Sequence, residues 1–473
     1  MSDQVPGRRA SALSRRRVDI LVALAIVLPS VVALSVALIG REEVTPDALN
    51  GPETAALTDA TVVCPQAVDR RDAGTVRVTR TPGVRGGELA ARTARAGAGE
   101  LGDPAKVDVA EGSSAVVPSS AGVTALDGTG AAAPGIVAGR GDRLAVPECR
   151  APSYDEWLVG IGASARYATT LELVNPDDGE AVVDLALYGA TGPVEEPVLH
   201  GIQVPPHGVK RIVLATEAPQ RQSTAAHLTV NRGRVTASVL NTWDPLGRGR
   251  VVSDYLPADL APSTQSLILG LPADPVGPTL FLANPGDDEV RTTIRLVTDD
   301  ATFTPAGSDD IAVAPQSMKT VNLSALLKGK AADGVVGLVV QSTGPVASSL
   351  RMLSKGDLAL LAPVPLLRDP TAAVLPPGPK TLVLGGAVRS GTVHVEAFDA
   401  SGKSLAQERI EVAADRAATL ALPPKAVTIT VEARNTGIGG VVTIPATGRS
   451  PGLATLRLRA AETRSRIPDV EPR

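Results

Sequence analysis

The chain has 473 residues, enough for roughly three or four domains of ordinary size. Apolar residues make up 44% of it but aromatics only 2%, so any core must be built from Val, Leu, Ile and Ala. Four His and two Cys exclude most zinc arrangements, iron–sulfur clusters and disulfide-dense scaffolds, and 46 basic against 50 acidic residues leave a net charge of −4, with no global field to draw in nucleic acid.

Residues 1–17 are a basic tail holding Arg8, Arg9, Arg15, Arg16 and Arg17. Ile20 to Ile39 then runs 20 residues without a charge, and at about 1.5 Å per residue such a helix reaches across a bilayer's hydrocarbon layer. The sequence therefore predicts a transmembrane helix over 18–40. The arginines before it, against Arg41, Glu42 and Glu43 after it, put the N-terminus inside and the bulk of the chain outside. The apolar run exceeds the roughly 7 to 15 residues of a cleaved signal peptide, which favours an uncleaved anchor. The expected location is the cell membrane, single-pass, with the C-terminal bulk extracytoplasmic.

After a linker at 41–60, residues 61–150 read as a β-rich region with strands at TVRVTR, KVDVAE, GIVAG and RLAVPEC, diluted by small and polar residues and expected to be partly disordered over 92–134. Cys64 and Cys149 bracket it. Outside the cell two such thiols most simply pair, closing a loop of 149 − 64 = 85 residues, with unpaired thiols or an intermolecular link as the alternative. No histidine precedes His200 to activate either thiol locally.

The body of the chain is a repeat. One copy, at 151–260, contains WLVGIG from Trp157, LELVNP leading into Asn175, IQVPP from Ile202 and AHLTVNRGRVTASVLN from Ala226; a second, at 261–370, contains LILGLP, LFLANP, IAVAP and VVGLVVQSTGPVASSLRM. The Asn-Pro turns lie 284 − 175 = 109 residues apart, and the segments starting at Ile202 and Ile311 keep that offset. A third copy, at 371–456, begins with TLVLGG and is expected to be a shortened sandwich that lacks one strand and the Asn-Pro turn. Residues 457–473 are expected to be a charged tail.

Within each copy the apolar period is two. Val183, Leu185 and Leu187 alternate with Asp184, Ala186 and Tyr188, and turn residues fall between the runs. About seven short strands in roughly 100 residues is an immunoglobulin-like count. The predicted fold is all-β: tandem immunoglobulin-like β-sandwiches behind a single N-terminal transmembrane helix, strung as beads on proline-bearing spacers.

A basic N-terminus, one membrane helix, VVCP at Val62 to Pro65, PECRAPSYDEWLVG around Cys149, and LxLVNP followed by IxVPP together resemble an uncharacterised family of secreted or membrane-anchored actinobacterial proteins, a domain of unknown function. That resemblance implies a cell-envelope setting near a large envelope glycosyltransferase, and no chemistry.

Candidate chemistry is sparse. Asp177, Asp178 and Glu180, and again Asp287, Asp288 and Glu289, could hold calcium, but they lack the alternating spacing of a calcium loop and read as solvated hairpin turns, as do Asp299-Asp300 and Asp309-Asp310. His200, His207, His227 and His394 fall at turns or on strands facing solvent, without a nucleophile motif. Trp157 and Trp243 are expected to plug the ends of the first sandwich rather than stack a sugar. Arg140-Gly141-Asp142 matches an integrin-binding tripeptide that arises easily by accident. No catalytic, metal or cofactor residue is predicted. The expected function is a non-catalytic, membrane-anchored envelope scaffold that binds an unidentified envelope protein or polymer through sandwich edges and loops; the alternative is a glycan-processing enzyme with a dispersed carboxylate site.

Overall fold

The computed structural model describes residues 27–29, 31, 54–68, 75–118, 121–140, 145–219, 221–259, 261–329, 332–446 and 451–466. The chain divides into two compact units, Met1–Ala55 with Arg466–Arg473, and Ala56–Ser465. Among the described residues no helix is long and apolar enough to cross a membrane. The expected single-pass location is corrected on that finding; apart from residues 27–29 and 31, the segment 18–40 lies outside the described residues.

The unit Ala56–Ser465 is nearly all β. Its strands form where the period of two predicts. In Ala181–Gly189 the buried positions are Ala181, Val183, Leu185 and Leu187, and in Gly391–Phe398 they are Val393, Val395 and Ala397. Branched aliphatics fit a pleated, half-buried surface, and here they turn to one side of each sheet.

At the N-terminal end, a four-stranded sheet (Asp59–Cys64, Thr124–Thr129, Gly87–Thr93, Ala105–Val109, in spatial order) and a three-stranded one (Ser114–Val117, Val76–Arg80, Ile136–Arg140) share a core that includes Val62, Val78, Leu89, Val107, Leu126 and Ile136. The segment 92–134, expected to be partly disordered, supplies three of these strands. Cys64 and Cys149 are disulfide-bonded, and beside the bond Val63 and Arg150 exchange backbone hydrogen bonds of 2.8 and 3.0 Å.

In the first repeat, Ala181–Gly189, Arg221–Arg232 and Asp155–Ala163 form one half of the sheet path, and Tyr167–Val174, Thr236–Trp243 and Val252–Leu256 the other. The halves meet through one pair, Ala163 with Ala168, and enclose a core of Leu158, Leu171, Leu185, Leu228 and Val239. In the second repeat the 18-residue strand Gly337–Ser354 does both jobs. Its first part pairs with Ser263–Leu269 and Val290–Val297, and its second with Val276–Asn284 and Asp357–Leu361.

The third repeat is not shortened. Thr371–Val374, Thr428–Arg434, Gly391–Phe398 and Ser404–Val412 form one four-stranded sheet, and Ala418–Leu422, Lys380–Gly385, Gly439–Ala446 and Gly452–Arg457 the other. TLVLGG is equivalent to the second strand of the earlier copies, Tyr167–Val174 and Val276–Asn284, and the first strand is Thr371–Val374. Two aliphatic runs of similar pattern, WLVGIG and TLVLGG, thus belong to different strands of their repeats.

The 109-residue register extends to individual hydrogen bonds. Asn175 Nδ2 donates to the carbonyls of Gly179, Val204 and Pro205 at 2.7, 3.1 and 3.0 Å; Asn284 Nδ2 donates to Asp288, Val313 and Ala314 at 2.8, 3.2 and 3.1 Å. His207 and Gln316, also 109 apart, both take positive φ (51° and 47°), and their backbone N–H groups donate to Asp177 and Gly286.

The sandwiches are not beads on spacers but parts of one unit. Trp157, Val159 and Ala225 of the first repeat pack with Phe281, Ala283, Met318 and Ala347 of the second; Leu269 of the second packs with Val383 and Val441 of the third; Val63 and Leu101 pack with Val174 and Val209. The aliphatic residue types that fill each sandwich also glue sandwich to sandwich.

Candidate functional site

The strand Gly452–Arg457 brings two arginines of the expected tail into the interior. Arg457 Nε and Nη2 donate to Glu148 Oε1 and Oε2 at 2.6 and 2.8 Å, while its remaining donors reach Pro363 O (2.6 Å) and Ala258 O (2.9 Å). One guanidinium thus ties the segment beside the disulfide to the joints on either side of the second repeat. Arg459 Nη1 donates to Glu148 Oε2 at 3.0 Å. Next to them Arg150 pairs with Glu156 and donates to Ala237 O. Burial would push the Glu148 carboxyl up, but Arg457, Arg459 and Arg150 more than offset it and hold it down at about 2.

Asp259 completes the group. It follows the strand Val252–Leu256, its backbone exchanges hydrogen bonds with Trp157 (2.8 and 2.9 Å), and its Oδ2 accepts the N–H of Ser348 at 3.1 Å. Burial raises its carboxyl to about 6, against the pull of the Ser348 N–H, of Arg457 and of the Ala261 N–H. Three guanidiniums (Arg150, Arg457, Arg459) therefore face three carboxylates (Glu148, Glu156, Asp259), and the network is charge-balanced only when Asp259 is ionised.

Beside the network opens a cleft of about 800 Å³ between the second and third repeats. Asp259, Arg295, Asp415, Arg457 and Arg459 supply its charge, and Leu267, Val297, Val339, Val364, Leu366 and Val388 its walls. Leu366 and Val388 stay 42% and 56% exposed at the mouth. Arg295 donates to Thr302 O at 2.9 Å and, among the described residues, forms no ion pair. A concave apolar site with a few converging polar groups and a shifted carboxyl is the general form of a binding site.

The residues singled out in the sequence are scattered away from this cleft. Asp177 is held by Arg234 (2.8 Å) and Asp178 by His207 (2.8 Å); Asp287 accepts from Gln316. Among the described residues no cluster of three His, Cys, Asp or Glu could hold a metal. Three of the four histidines stand beside an aspartate: His200 by Asp184, His207 by Asp178, and His227 by Asp155. Trp157 does not plug an end of its own core. It lies on the outer face of its sheet, 3% exposed, stacked on His227 with centroids 4.6 Å apart and packed against the second repeat. Trp243 does pack on the first-repeat core. Arg140 is buried, donating to Pro65 O and Gly122 O; Gly141 and Asp142 lie outside the described residues.

The residues that sequence reasoning missed are Glu148, Arg150, Asp259, Arg457 and Arg459. The available signal was a pair of charges flanking Cys149, a residue already placed in a core. A family model described as a family of unknown function (DUF5719) matches residues 104–423, from within the N-terminal sandwich into the third repeat. No curated protein and no solved structure matches the chain.

Proposed function

The chain belongs to the family of unknown function DUF5719, and we propose that it is a non-catalytic interaction scaffold whose cleft between the second and third repeats binds an elongated acidic partner, a protein segment or a polymer. We read its sandwiches as immunoglobulin-like, on their seven to nine strands each, set in two separate sheets or in two halves of one continuous sheet. The observation that carries the binding reading is Arg295, a cation without an ion pair among the described residues, set in an apolar cleft whose other arginines, Arg457 and Arg459, are already paired with Glu148. Such a site attracts negative charge and desolvates what accompanies it.

The second reading, a glycan hydrolase, draws on Asp259, since a carboxyl raised to about 6 suits a general acid, with Asp415 in the same cleft as its partner. One experiment separates the two. Labelled polyglutamate and a labelled polyuronate are titrated onto the protein, and the polyuronate is then sized. The scaffold reading expects saturable binding, weakened at least tenfold by Arg295→Ala and by Val388→Asp, with the polymer intact. Chain shortening that Asp259→Asn abolishes would establish the hydrolase instead, and an absence of binding to either polymer would reject the acidic partner.

A further inference from the structure

Between the N-terminal sandwich and the third repeat lies a second concavity, of about 200 Å³, which shares no residue with the cleft described above. Its walls are the outward faces of two sheets. In the third repeat Ile429 and Val431 turn into the core, so Thr428 and Thr430 look out, and across the strand pair Thr428 stands opposite Phe398 and Thr430 opposite Glu396. In the N-terminal sandwich Val76 and Val78 are core residues, so Thr79 and Thr81 face the other way, into the concavity. The turn at Glu111 and Gly112 meets the one at Asp399 to Gly402 along one side, where a Cβ on Gly402 would stand 3.2 Å from Gly112 O.

Two hydroxyls in this space are orphaned. Thr81 and Thr428 are 5% and 6% exposed, and neither Oγ1 has a hydrogen-bond partner among the described residues. A hydroxyl taken out of water without a partner is unfavourable, and a ligand that supplies one relieves the cost. The charge presented around them is of one sign. Arg80 turns into its own sandwich, on the side of Val76 and Val78: its Nη1 donates to Ala132 O and Pro134 O at 2.7 and 3.0 Å, and a Cβ on Gly87 would stand 3.7 Å from its Nη2. That leaves Glu111, Glu396 and Asp399 as the charges facing the concavity. Glu396 Oε1 accepts from Gln407, and Asp399 Oδ1 from Ser401 and Lys403; the second oxygen of each carboxylate has no partner among the described residues. These acids do not converge as a metal set. They call instead for a ligand with several separated donors: a cation for the carboxylates, hydroxyls for the two threonines, and a body that can rest on Phe398. At roughly 30 Å³ per water the space equals about seven waters, which suits one small molecule rather than a polymer.

We propose that this concavity is a binding site for a small polyhydroxylated amine, of the size of a single amino sugar. Its ammonium group sits among Glu111, Glu396 and Asp399, its hydroxyls exchange hydrogen bonds with Thr81 and Thr428, and its ring lies against Phe398. Thr81 and Thr428 belong to different sandwiches, so the bound ligand bridges the N-terminal sandwich to the third repeat and stabilises their contact.

The test is isothermal titration calorimetry on the full chain with glucosamine, glucose and glucuronate, together with amide hydrogen exchange in the presence and absence of glucosamine. Glucosamine is expected to bind about tenfold or more tightly than glucose, glucuronate not at all, and protection to rise over 79–84 and 428–430. Thr81→Val and Thr428→Val keep the side-chain shape; each should weaken glucosamine binding about fivefold or more, while the ligand-free variant unfolds at the wild-type temperature or above, since the hydroxyl removed had no partner to lose. Glu396→Gln, at a half-buried position on the wall, should leave glucosamine and glucose bound alike. Glucosamine bound no tighter than glucose, or not bound, would overturn the proposal. So would full-strength binding by both valine variants, protection confined to other segments, or a preference for glucuronate, which would assign the charge of the site to Arg80.

Discussion

Replacing Asp259 by asparagine isolates the one carboxyl of the buried network that the fold holds above its ordinary range. Its value rises from 3.8 to about 6, roughly two units, and at about 1.4 kcal/mol per unit that is about 3 kcal/mol of preference for the protonated form in the folded state. The folded protein binds this proton more tightly than the unfolded chain does. The residue's stabilising contribution is therefore complete below pH 3.8 and is lost as pH rises through 6. Asparagine keeps the shape and an acceptor for the Ser348 N–H but carries no proton to lose. Urea unfolding of wild type and Asp259→Asn, measured side by side from pH 4 to 8, should show the variant gaining about 2.4 kcal/mol on wild type between pH 4 and 7, the share of that preference which falls inside the window, because every other titrating group cancels in the difference. The gain should level off above pH 7. A difference that stays flat within about 1 kcal/mol, or one that runs the other way, would refute both the buried setting assigned to Asp259 and its place in the charge balance.

Glu148→Gln leaves Arg457 and Arg459 facing each other without their shared carboxylate and should cost about 3 to 5 kcal/mol, read as a fall in urea midpoint. In wild type Glu148, lowered from 4.5 to about 2, stabilises fully above pH 4.5, and that contribution should fade only as pH falls towards 2, which acid titration by circular dichroism follows. Asn175→Ala and Asn284→Ala each strip one donor from three carbonyls and should each cost about 1 to 3 kcal/mol, additively in the double variant because the sites lie in different repeats. Cys64→Ser with Cys149→Ser opens an 85-residue loop and should lower unfolding free energy by up to about 4.5 kcal/mol, matched in wild type by adding dithiothreitol.

What was legible in the sequence was what repeats or alternates. The offset between Asn175 and Asn284 fixed two copies in register, and the structure extends that register to the acceptors of each carboxamide. The pairing of Cys64 with Cys149 followed from their being alone. The start of the third copy is ambiguous in the sequence because TLVLGG, WLVGIG and LILGLP are all short continuous aliphatic runs broken by glycine, and such a run reads alike whichever sheet it enters; with no Asn-Pro turn to anchor the register, the pattern slides by one strand. The network was illegible for a different reason. Arg457 and Arg459 follow the last apolar run in a stretch rich in arginine and glutamate, where charge ordinarily means solvent, and only the meeting of distant segments turns them inward.

A composition nearly without aromatics makes sense once the few present are located. Trp157, Tyr188 and Phe281 gather where the first two repeats meet, Tyr167 and Phe281 hold the guanidinium of Arg351 between them with ring centroids at 3.5 and 4.6 Å, and Tyr255 donates from the first repeat to Gln66 O of the N-terminal sandwich at 2.6 Å. Five of the nine aromatics thus stand at joints. Charged groups also cross the joints: Glu172, paired with Arg211 of its own repeat, lies 3.4 Å from the N–H of Gln66, Arg211 donates to Ala98 O at 2.8 Å, and Arg457 pairs with Glu148. Aliphatic contact alone is nondirectional and would let similar sandwiches slide or exchange partners. A stacked ring, a bidentate guanidinium or a buried carboxylate has one satisfactory geometry, and a mispaired one costs several kcal/mol. Repeated sandwiches built from interchangeable aliphatic cores need that specificity at their joints rather than within them. For this reason the candidate cleft, which opens where the second and third repeats meet and has Arg457 in its wall, keeps its shape only while the buried network stays paired.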